Sequence, residues 1–196
     1  MKIAEIESFS KRYSDRLPEF KFLRDEAKSY LKKAIIKSKL KVHSIIGRIK
    51  GFDSCVDKIM NKKTENPFDS IKDFVGLRVV CLFLSDLDRV EKVINETFEV
   101  LDRKDKTNGK EKDVFGYMGT HYIVRLKMKK ETNPMPFEIQ VRTIAQDAWA
   151  SVSHHLDYKT NSIPEEFKKD FHALSGLFYV ADTHFSFIKQ DKMQGI

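Results

Sequence analysis

The sequence predicts a mixed α/β (α+β) fold, in which helices pack on a mixed β-sheet. Segments with strand patterns alternate along the chain with segments of helical periodicity. Residues 76–84 form an apolar run of strand length, typical of a strand buried on both faces. The 196 residues, 41 % of them hydrophobic, are enough for one domain with a sizeable core.

Each element is predicted from the spacing of its apolar residues. Apolar side chains three or four positions apart indicate a helix, and β-branched or alternating residues indicate a strand. Pro18 opens the first helix, and Asp86 caps a later one. Residues 102–113 contain no apolar residue, which predicts a mobile loop. The predicted elements are helix 18–38, strand 41–50, helix 52–62 (Val56, Ile59 and Met60 inward), strand 76–84, helix 86–97, loop 102–113, strands 120–128 and 136–142, and helices 144–157 and 164–189.

Composition and charge narrow the class of protein. The net charge of +7 favours polyanionic partners, and basic residues are dense between Lys11 and Lys41. Cys55 and Cys81 lie far apart among apolar neighbours, which predicts buried thiols in a reducing compartment. No apolar run reaches the ~18–20 residues of a membrane span and no signal-peptide pattern is present, so we expect a cytoplasmic protein without a membrane partner.

Polar and charged residues fall on one face of several predicted strands, because side chains two positions apart share a face. Carboxylates suit a partly hydrated Mg²⁺ bound together with substrate phosphates. Arginine and lysine neutralise phosphate oxygens, a carboxylate can orient a hydroxyl, and a tyrosine ring can stack on a base. The residues that this face would gather are Arg48, Lys50, Asp73, Arg78, Tyr117, His121, Glu138, Gln140 and Arg142.

Simpler interpretations of the same residues remain open at this point. Arg78 inside an apolar strand is also explained by a buried ion pair with Asp73. Glu138 and Arg142 would equally form a structural salt bridge, and Tyr117 would fill a turn after Gly116.

Four stretches of the chain resemble the synthetase domain of the RelA/SpoT family of alarmone synthetases. They are R-I-K-G-F-D-S-C-V-D-K (48–58), D-F-V-G-L-R-V-V-C (73–81), F-G-Y-M-G-T-H-Y (115–122) and F-E-I-Q-V-R-T-I-A-Q-D-A-W-A-S-V-S-H-H-L-D-Y-K (137–159). The resemblance covers roughly residues 40–160 and implies one nucleotidyltransferase-like synthetase domain over residues 1–196. Its parts would be an N-terminal helical segment (1–40), a catalytic core (41–160) and a C-terminal helix (161–196).

The resemblance also implies a reaction and a role for each matching residue. The family transfers the β,γ-pyrophosphate of ATP to a ribose 3′-oxygen and releases AMP, with Mg²⁺ as cofactor. Asp73 would ligate Mg²⁺, and Glu138 would help to place the metal or activate the acceptor hydroxyl. The donor ATP would be bound by Arg48 and Arg78, which sandwich its adenine, and by Lys50, Ser54 and Lys58, which hold its phosphates. The acceptor would be bound by Tyr117, which stacks on its base, and by His121, Gln140 and Arg142.

Departures from the family pattern bear on the acceptor. The stacking tyrosine usually sits in a K-x-N-G-Y-x-S-x-H context, whereas Asp113, Phe115 and Gly119 stand at the Lys, Asn and Ser positions here. An aspartate repels a free polyphosphate, and a basic N-terminal helix with Lys28, Lys32 and Lys33 suits RNA. The sequence therefore favours the tRNA 3′ end as acceptor, as in toxic, translation-inhibiting members of the family. GDP or GTP, giving (p)ppGpp in a stringent response, and an adenine nucleotide remain alternatives.

Two further readings concern partners. A non-catalytic module that binds RNA or nucleotide is disfavoured, because a pure binder gains nothing from Asp73 and Glu138 facing phosphates. The last helix carries an apolar stripe that packs internally or binds an antitoxin or a second subunit of a homo-oligomer. The stripe consists of Phe167, Phe171, Leu174, Phe178, Phe185 and Ile188.

Overall fold

The computed structural model describes residues 3–62, 67–105, 119–127, 135–160 and 164–194. Its core is a five-stranded mixed sheet in the order β1-β2-β5-β4-β3, in which β2 and β5 are parallel and every other neighbouring pair is antiparallel. This architecture confirms the predicted mixed sheet flanked by helices. The elements are α1 (Ile3–Lys37), β1 (Val42–Ile49), α2 (Phe52–Lys62), α3 (Pro67–Ser70), β2 (Val75–Cys81), a 3₁₀ turn (Leu84–Asp86), α4 (Leu87–Thr97), β3 (Phe98–Asp105), β4 (Thr120–Leu126), β5 (Phe137–Thr143), α5 (Ile144–Thr160) and α6 (Glu165–Gln194).

The strand register separates the sheet into an apolar face and a polar face. Leu77 pairs with Ile139, and Tyr122 also pairs with Ile139, so all three point into the core. The neighbouring positions, one residue along each strand, point to the opposite face. That polar face carries Arg48, Arg78, Lys104, His121, Glu138, Gln140 and Arg142.

Helix α1 covers the apolar face of the sheet. A Cβ on Gly47 of β1 would lie 2.9 Å from the Cγ of Arg24 in α1, so the helix and the strand approach too closely for a larger residue. One helical turn before Arg24, Phe20 stacks on Phe74, the residue directly before β2, with ring centroids 4.9 Å apart. The hydroxyl of Tyr13 donates a 2.7 Å hydrogen bond to the carbonyl of Lys50. This aromatic packing fixes the ends of β1 and β2 at which polar residues gather.

Two sequence-based expectations about the elements were wrong. Helix α1 begins at Ile3, not at Pro18, because buried Phe9 and Tyr13 hold its first turns on the core although the proline removes one helix hydrogen bond. Residues 102–105 belong to strand β3, whose outer half is exposed and therefore needs no apolar residue. The rest of the expected loop, 106–113, lies outside the described residues.

Smaller corrections concern single side chains. Met60 is exposed, whereas Ile59 is buried as expected. Asp86 stands at the N-cap of α4 but makes no capping hydrogen bond; it accepts one from the Nζ of Lys189 in α6 at 2.6 Å. On α6, Phe171 packs on Trp149 at 4.3 Å, but Phe167, Leu174, Phe185 and Ile188 are exposed in the single chain.

Two expectations from composition have structural counterparts. Cys55 and Cys81 are buried free thiols, and burial raises their pKa values to about 11 and about 12, so both stay protonated and unreactive near neutral pH. Among the residues that the structure describes, no helix is long and apolar enough to cross a membrane.

Candidate active site

A central cleft opens on the polar face of the sheet, with a volume of about 290 Å³. It brings together Asp73, which precedes β2, and Glu138, which begins β5. The two residues were predicted to share a site, and both contribute to the lining. The cleft is lined by Lys58, Ser70, Lys72, Asp73, Asp102, Lys104, His121, Ile123 and Glu138.

Asp73 is held between two lysines. Its Oδ1 lies 2.7 Å from the Nζ of Lys58, and its Oδ2 lies 3.2 Å from the Nζ of Lys50. The backbone N–H of Lys50 donates to the carbonyl of Phe74 at 2.8 Å, which ties the end of β1 to the start of β2. Helix α2 starts just after Lys50 and projects Lys58 back towards the carboxylate. The alternative pairing of Asp73 with Arg78 is not observed.

Glu138 is held ionised by its neighbours. Its Oε1 lies 2.8 Å from the Nδ1 of His121, and its Oε2 accepts a 2.7 Å hydrogen bond from the Nε2 of Gln140. Burial alone would raise the pKa of Glu138, but His121 and Gln140 outweigh it and lower the pKa to about 2. The alternative salt bridge between Glu138 and Arg142 is not observed.

His121 keeps one ring nitrogen free for a further contact. Its Nε2 is buried and has no hydrogen-bond partner among the described residues. Because Nδ1 is committed to Glu138, Nε2 is the ring nitrogen that retains hydrogen-bonding capacity.

A smaller pocket of about 100 Å³ adjoins the central cleft across β1 and β2. Its lining includes Ile46, Arg48, Arg78 and Gln140. A Cβ on Gly76 would lie 3.4 Å from the Nε of Arg48, so the arginine side chain extends over β2. The two arginines predicted to sandwich a base therefore border one slot.

Arg78 and Arg142 share a carboxylate that the sequence analysis did not identify. The Nη1 of Arg78 lies 3.0 Å from the Oδ1 of Asp147, and the Nη1 of Arg142 lies 3.5 Å from the same oxygen. Burial and the nearby Arg78 together lower the pKa of Arg142 to about 10, whereas Asp147 acts in the opposite direction. The position of Asp147 in the first turn of α5, five residues after Arg142, was the available signal.

Ser54 is a predicted site residue that does not line the cleft. Ser54 is exposed on α2, one helical turn before Lys58. Tyr117, like Asp113 and Phe115, lies outside the described residues.

The N-terminal lysines Lys28, Lys32 and Lys33 lie on α1, which packs on the apolar side of the sheet, away from the cleft. Their helix positions are 15–20 residues beyond Tyr13, or roughly 22–30 Å at 1.5 Å per residue.

The cleft also contains residues that the sequence analysis missed. Lys72 precedes Asp73, and Lys104 lies opposite His121 in the β3–β4 register. Asp102 lies two positions before Lys104 on the same face. The spacing of Asp102 and Lys104, two positions apart on β3, was the available signal for those two residues. It was hidden because residues 102–105 include no apolar residue that would indicate a strand.

The donor set of the cleft fits Mg²⁺ bound jointly with a nucleotide. Among the described residues, no group of three or more His, Cys, Asp and Glu is arranged to hold a metal on its own. Asp73 and Glu138 supply hard oxygen donors in one cleft, which matches the usual Mg²⁺ arrangement of one or two carboxylates completed by water and phosphates.

Comparison with known proteins identifies the family. Residues 47–163 match the model of the region found in RelA / SpoT proteins. GTP pyrophosphokinase YwaC of Bacillus subtilis is 30 % identical over 154 residues, which cover 74 % of this chain and 72 % of YwaC. GTP pyrophosphokinase YjbM of the same organism is 29 % identical over 133 residues, covering 65 % and 62 % of the two chains.

A solved structure agrees with these sequence matches. Small alarmone synthetase 1 from B. subtilis, bound to its product pppGpp, superposes with a TM-score of 0.79 at 26 % identity over 92 % of this chain and 98 % of that chain. The family match, the shared fold and the gathered cleft residues lead to one conclusion. The chain belongs to the RelA/SpoT family, and within it to the small alarmone synthetases.

Proposed function

We propose that this pyrophosphokinase, which uses ATP as donor, transfers the β,γ-pyrophosphate to the ribose 3′-hydroxyl of a guanine nucleotide and releases AMP. The observation that carries the proposal is the central cleft, in which Asp73 and Glu138 lie together with three lysines. Relatives at about 30 % identity are GTP pyrophosphokinases. The lysines Lys58, Lys72 and Lys104 supply positive charge for polyphosphates even though Asp113 stands at the family's usual lysine position.

The donor side of the site would bind ATP through cations. Arg48 and Arg78 border the small pocket and would stack on the two faces of adenine, since a guanidinium is planar and weakly hydrated. Lys50 and Lys58 would meet the phosphates. Ser54 is exposed one turn before Lys58, and it would reach the phosphates only from the rim of the site.

The transfer step would make one bond and break one bond. The 3′-oxygen attacks the β-phosphorus of ATP, the bond from that phosphorus to the α,β-bridging oxygen breaks, and AMP departs. Glu138 would orient the hydroxyl by accepting its hydrogen bond, and the proton would pass to solvent. Asp73 and Glu138 would hold Mg²⁺, which supplies charge neutralisation on the phosphates when bound.

The acceptor side would be formed by His121, Gln140 and Arg142, with Tyr117 stacked on the base. Nε2 of His121 is one of the buried nitrogens without a hydrogen-bond partner among the described residues, and it would contact the acceptor ribose or phosphate. Arg142 is almost fully buried and would act at the back of the cleft.

A tRNA 3′ end is the second candidate acceptor, and Asp113 is the observation that favours it. A tRNA terminus carries no polyphosphate, so it does not need the lysine that Asp113 replaces. This reaction would inhibit translation and would call for a neutralising antitoxin. Lys28, Lys32 and Lys33 would have to hold the tRNA from the far side of the sheet.

A labelling experiment separates the acceptors. The protein is incubated with γ-labelled ATP alone and with GDP, GTP or deacylated tRNA, and the labelled product is identified. We expect label on GDP or GTP, release of AMP, and no product from Asp73→Asn. Label on tRNA would replace this acceptor with the second candidate. In that case tRNA binding should weaken steeply with added salt, and neutralising Lys28, Lys32 and Lys33 together should reduce that salt dependence. Absence of AMP release with every acceptor would refute the proposed function.

A further inference from the structure

Asp147 contacts two of the three arginines of the site through a single carboxylate oxygen. Its Oδ1 accepts hydrogen bonds from the Nη1 of Arg78 at 3.0 Å and from the Nη1 of Arg142 at 3.5 Å. We propose that Asp147 is a positioning residue that fixes the guanidinium of Arg78 for the adenine of ATP. The inference rests on the proposed function, in which Arg78 stacks on that base.

The contacts of Arg78 define the plane of its guanidinium. Its Nη1 donates to Asp147, and its Nε donates to the Oε1 of Gln140 at 3.3 Å. Two bonds from different nitrogens of a rigid planar group leave little freedom to rotate. The side chain is therefore ordered before ATP arrives, and binding does not have to order it.

Asp147 also separates two like charges. Arg78 and Arg142 project from the neighbouring strands β2 and β5 onto the same face, and Arg142 is almost fully buried. Without a carboxylate between them, their repulsion would drive the more exposed Arg78 towards solvent. The neutral apolar residues of the small pocket, such as Ile46, offer no replacement charge.

The hydrogen bonds continue from Arg78 to the acceptor side. Gln140 bridges the two halves, because its Oε1 accepts from Arg78 while its Nε2 donates to the Oε2 of Glu138. Glu138 in turn contacts His121. Asp147 also touches Arg142 of the acceptor side, but at 3.5 Å against 3.0 Å for Arg78, so its removal should weaken ATP binding more than acceptor binding.

A double-mutant cycle on nucleotide binding tests the inference. The affinity for a non-hydrolysable α,β-methylene analogue of ATP is measured by calorimetry with Mg²⁺ for wild type, Asp147→Ala, Arg78→Ala and the double variant. We expect Asp147→Ala to weaken binding about tenfold, as for loss of a charge-assisted hydrogen bond. In the Arg78→Ala background the same change should weaken binding less than about twofold, since its partner is gone.

Two companion variants separate positioning from folding. Asp147→Asn keeps an acceptor oxygen for Arg78 and should lose less affinity than Asp147→Ala. Asp170→Asn removes an exposed carboxylate from α6 and should bind like wild type. Unfolding curves identify any variant that loses the fold, and Asp147→Asn then replaces Asp147→Ala in the cycle.

The outcomes distinguish this inference from the function on which it rests. Unchanged binding in Asp147→Ala, or the same tenfold loss with and without Arg78, would show that Asp147 only anchors α5 and would overturn the inference. Binding of the analogue by wild type without AMP release from ATP would remove the proposed function, while the cycle would still decide the role of Asp147. Failure of wild type to bind the analogue would overturn both.

Discussion

The Nζ of Lys58 lies 2.7 Å from the Oδ1 of Asp73, and this contact joins two groups with different proposed partners. Lys58 would bind phosphate, and Asp73 would bind Mg²⁺. Both partners would arrive together as the magnesium complex of ATP. Lys58 would then leave Asp73 for a phosphate, and Asp73 would leave Lys58 for the metal. The ion pair keeps both side chains aligned and charge-balanced until then.

Loss of either carboxylate should abolish most of the activity. Asp73→Asn and Glu138→Gln keep size and shape but remove the charge, and each should lower turnover by a factor on the order of 10² or more. AMP release from ATP measures the effect, and unfolding curves check that the fold is kept. Chelation with EDTA should stop the wild-type reaction, and excess Mg²⁺ should restore it. Near-wild-type rates for either variant, or indifference to EDTA, would contradict the two-carboxylate mechanism.

Lys58→Met should weaken the use of ATP. The substitution removes a cation from the cleft while keeping an unbranched side chain, and we expect the KM for ATP to rise about tenfold. Lys37→Met, at the exposed end of α1, is the matched control and should leave the KM unchanged. A larger effect on the KM for the acceptor than on the KM for ATP would indicate that Lys58 binds the acceptor.

Tyr117 should tolerate phenylalanine far better than alanine. If the ring face stacks on the acceptor base, Tyr117→Phe keeps the interaction and Tyr117→Ala loses about 1–3 kcal/mol. The measurement is kcat/KM for the acceptor at saturating ATP. Equal losses in the two variants would indicate a role for the hydroxyl instead.

Gly119 should not accept the serine that is usual in the family. Its φ is +88°, a region that favours glycine, and an added Cβ would clash with the carbonyl oxygen of Val141. Gly119→Ser should therefore destabilise the fold by on the order of 1–3 kcal/mol in urea unfolding. Gly176→Ala on α6, where an added Cβ meets nothing within 4 Å, is the control and should not destabilise. A fully stable Gly119→Ser would show that the backbone there adapts freely.

Glu138 should make stability depend on pH in acid. Its pKa is lowered from 4.5 to about 2 in the folded protein, so its contribution is complete above about pH 4.5 and is lost as the pH falls through about 2. Between pH 4.5 and 2, the free energy of unfolding of the wild type should fall more steeply with decreasing pH than that of Glu138→Gln. The two slopes should differ by up to roughly 1.4 kcal/mol per pH unit. Urea unfolding at a series of pH values measures the slope. Parallel curves for variant and wild type would contradict the low pKa.

The sequence predicted the inner strands and their polar face because alternation is a local signal. In β5, Glu138, Gln140 and Arg142 alternate with Ile139 and Val141, and the strand register places them as expected. They lie on one face because side chains two positions apart in a strand point to the same side of the sheet. The order of the strands in the sheet is not local, and no residue pattern specified it.

The partners of the charged residues were harder to predict. Arg78 contacts Asp147, 69 residues later, whereas Asp73, the partner in the alternative interpretation of the sequence, is only five residues away. The sequence offers several carboxylates as possible partners for Arg78. Only the packing of α5 against the sheet determines that Asp147 is the one in contact. Strand β3 was missed for another reason: it is an edge strand with an exposed outer half, and its apolar alternation is limited to Phe98 and Val100.

The parallel pairing of β2 with β5 has a consequence for biosynthesis. Arg78 and Gln140 are 62 residues apart in the chain, yet they are hydrogen-bonded neighbours on adjacent strands. Closing so long a loop has an entropic cost that only the finished sheet offsets, so this pairing is intrinsically slow. A nascent chain on the ribosome can form the antiparallel β1–β2 pair early, but the proposed nucleotide site is incomplete until β5 has emerged. A chain that ended before residue 137 would therefore carry all four proposed ATP-binding cations but would lack Glu138.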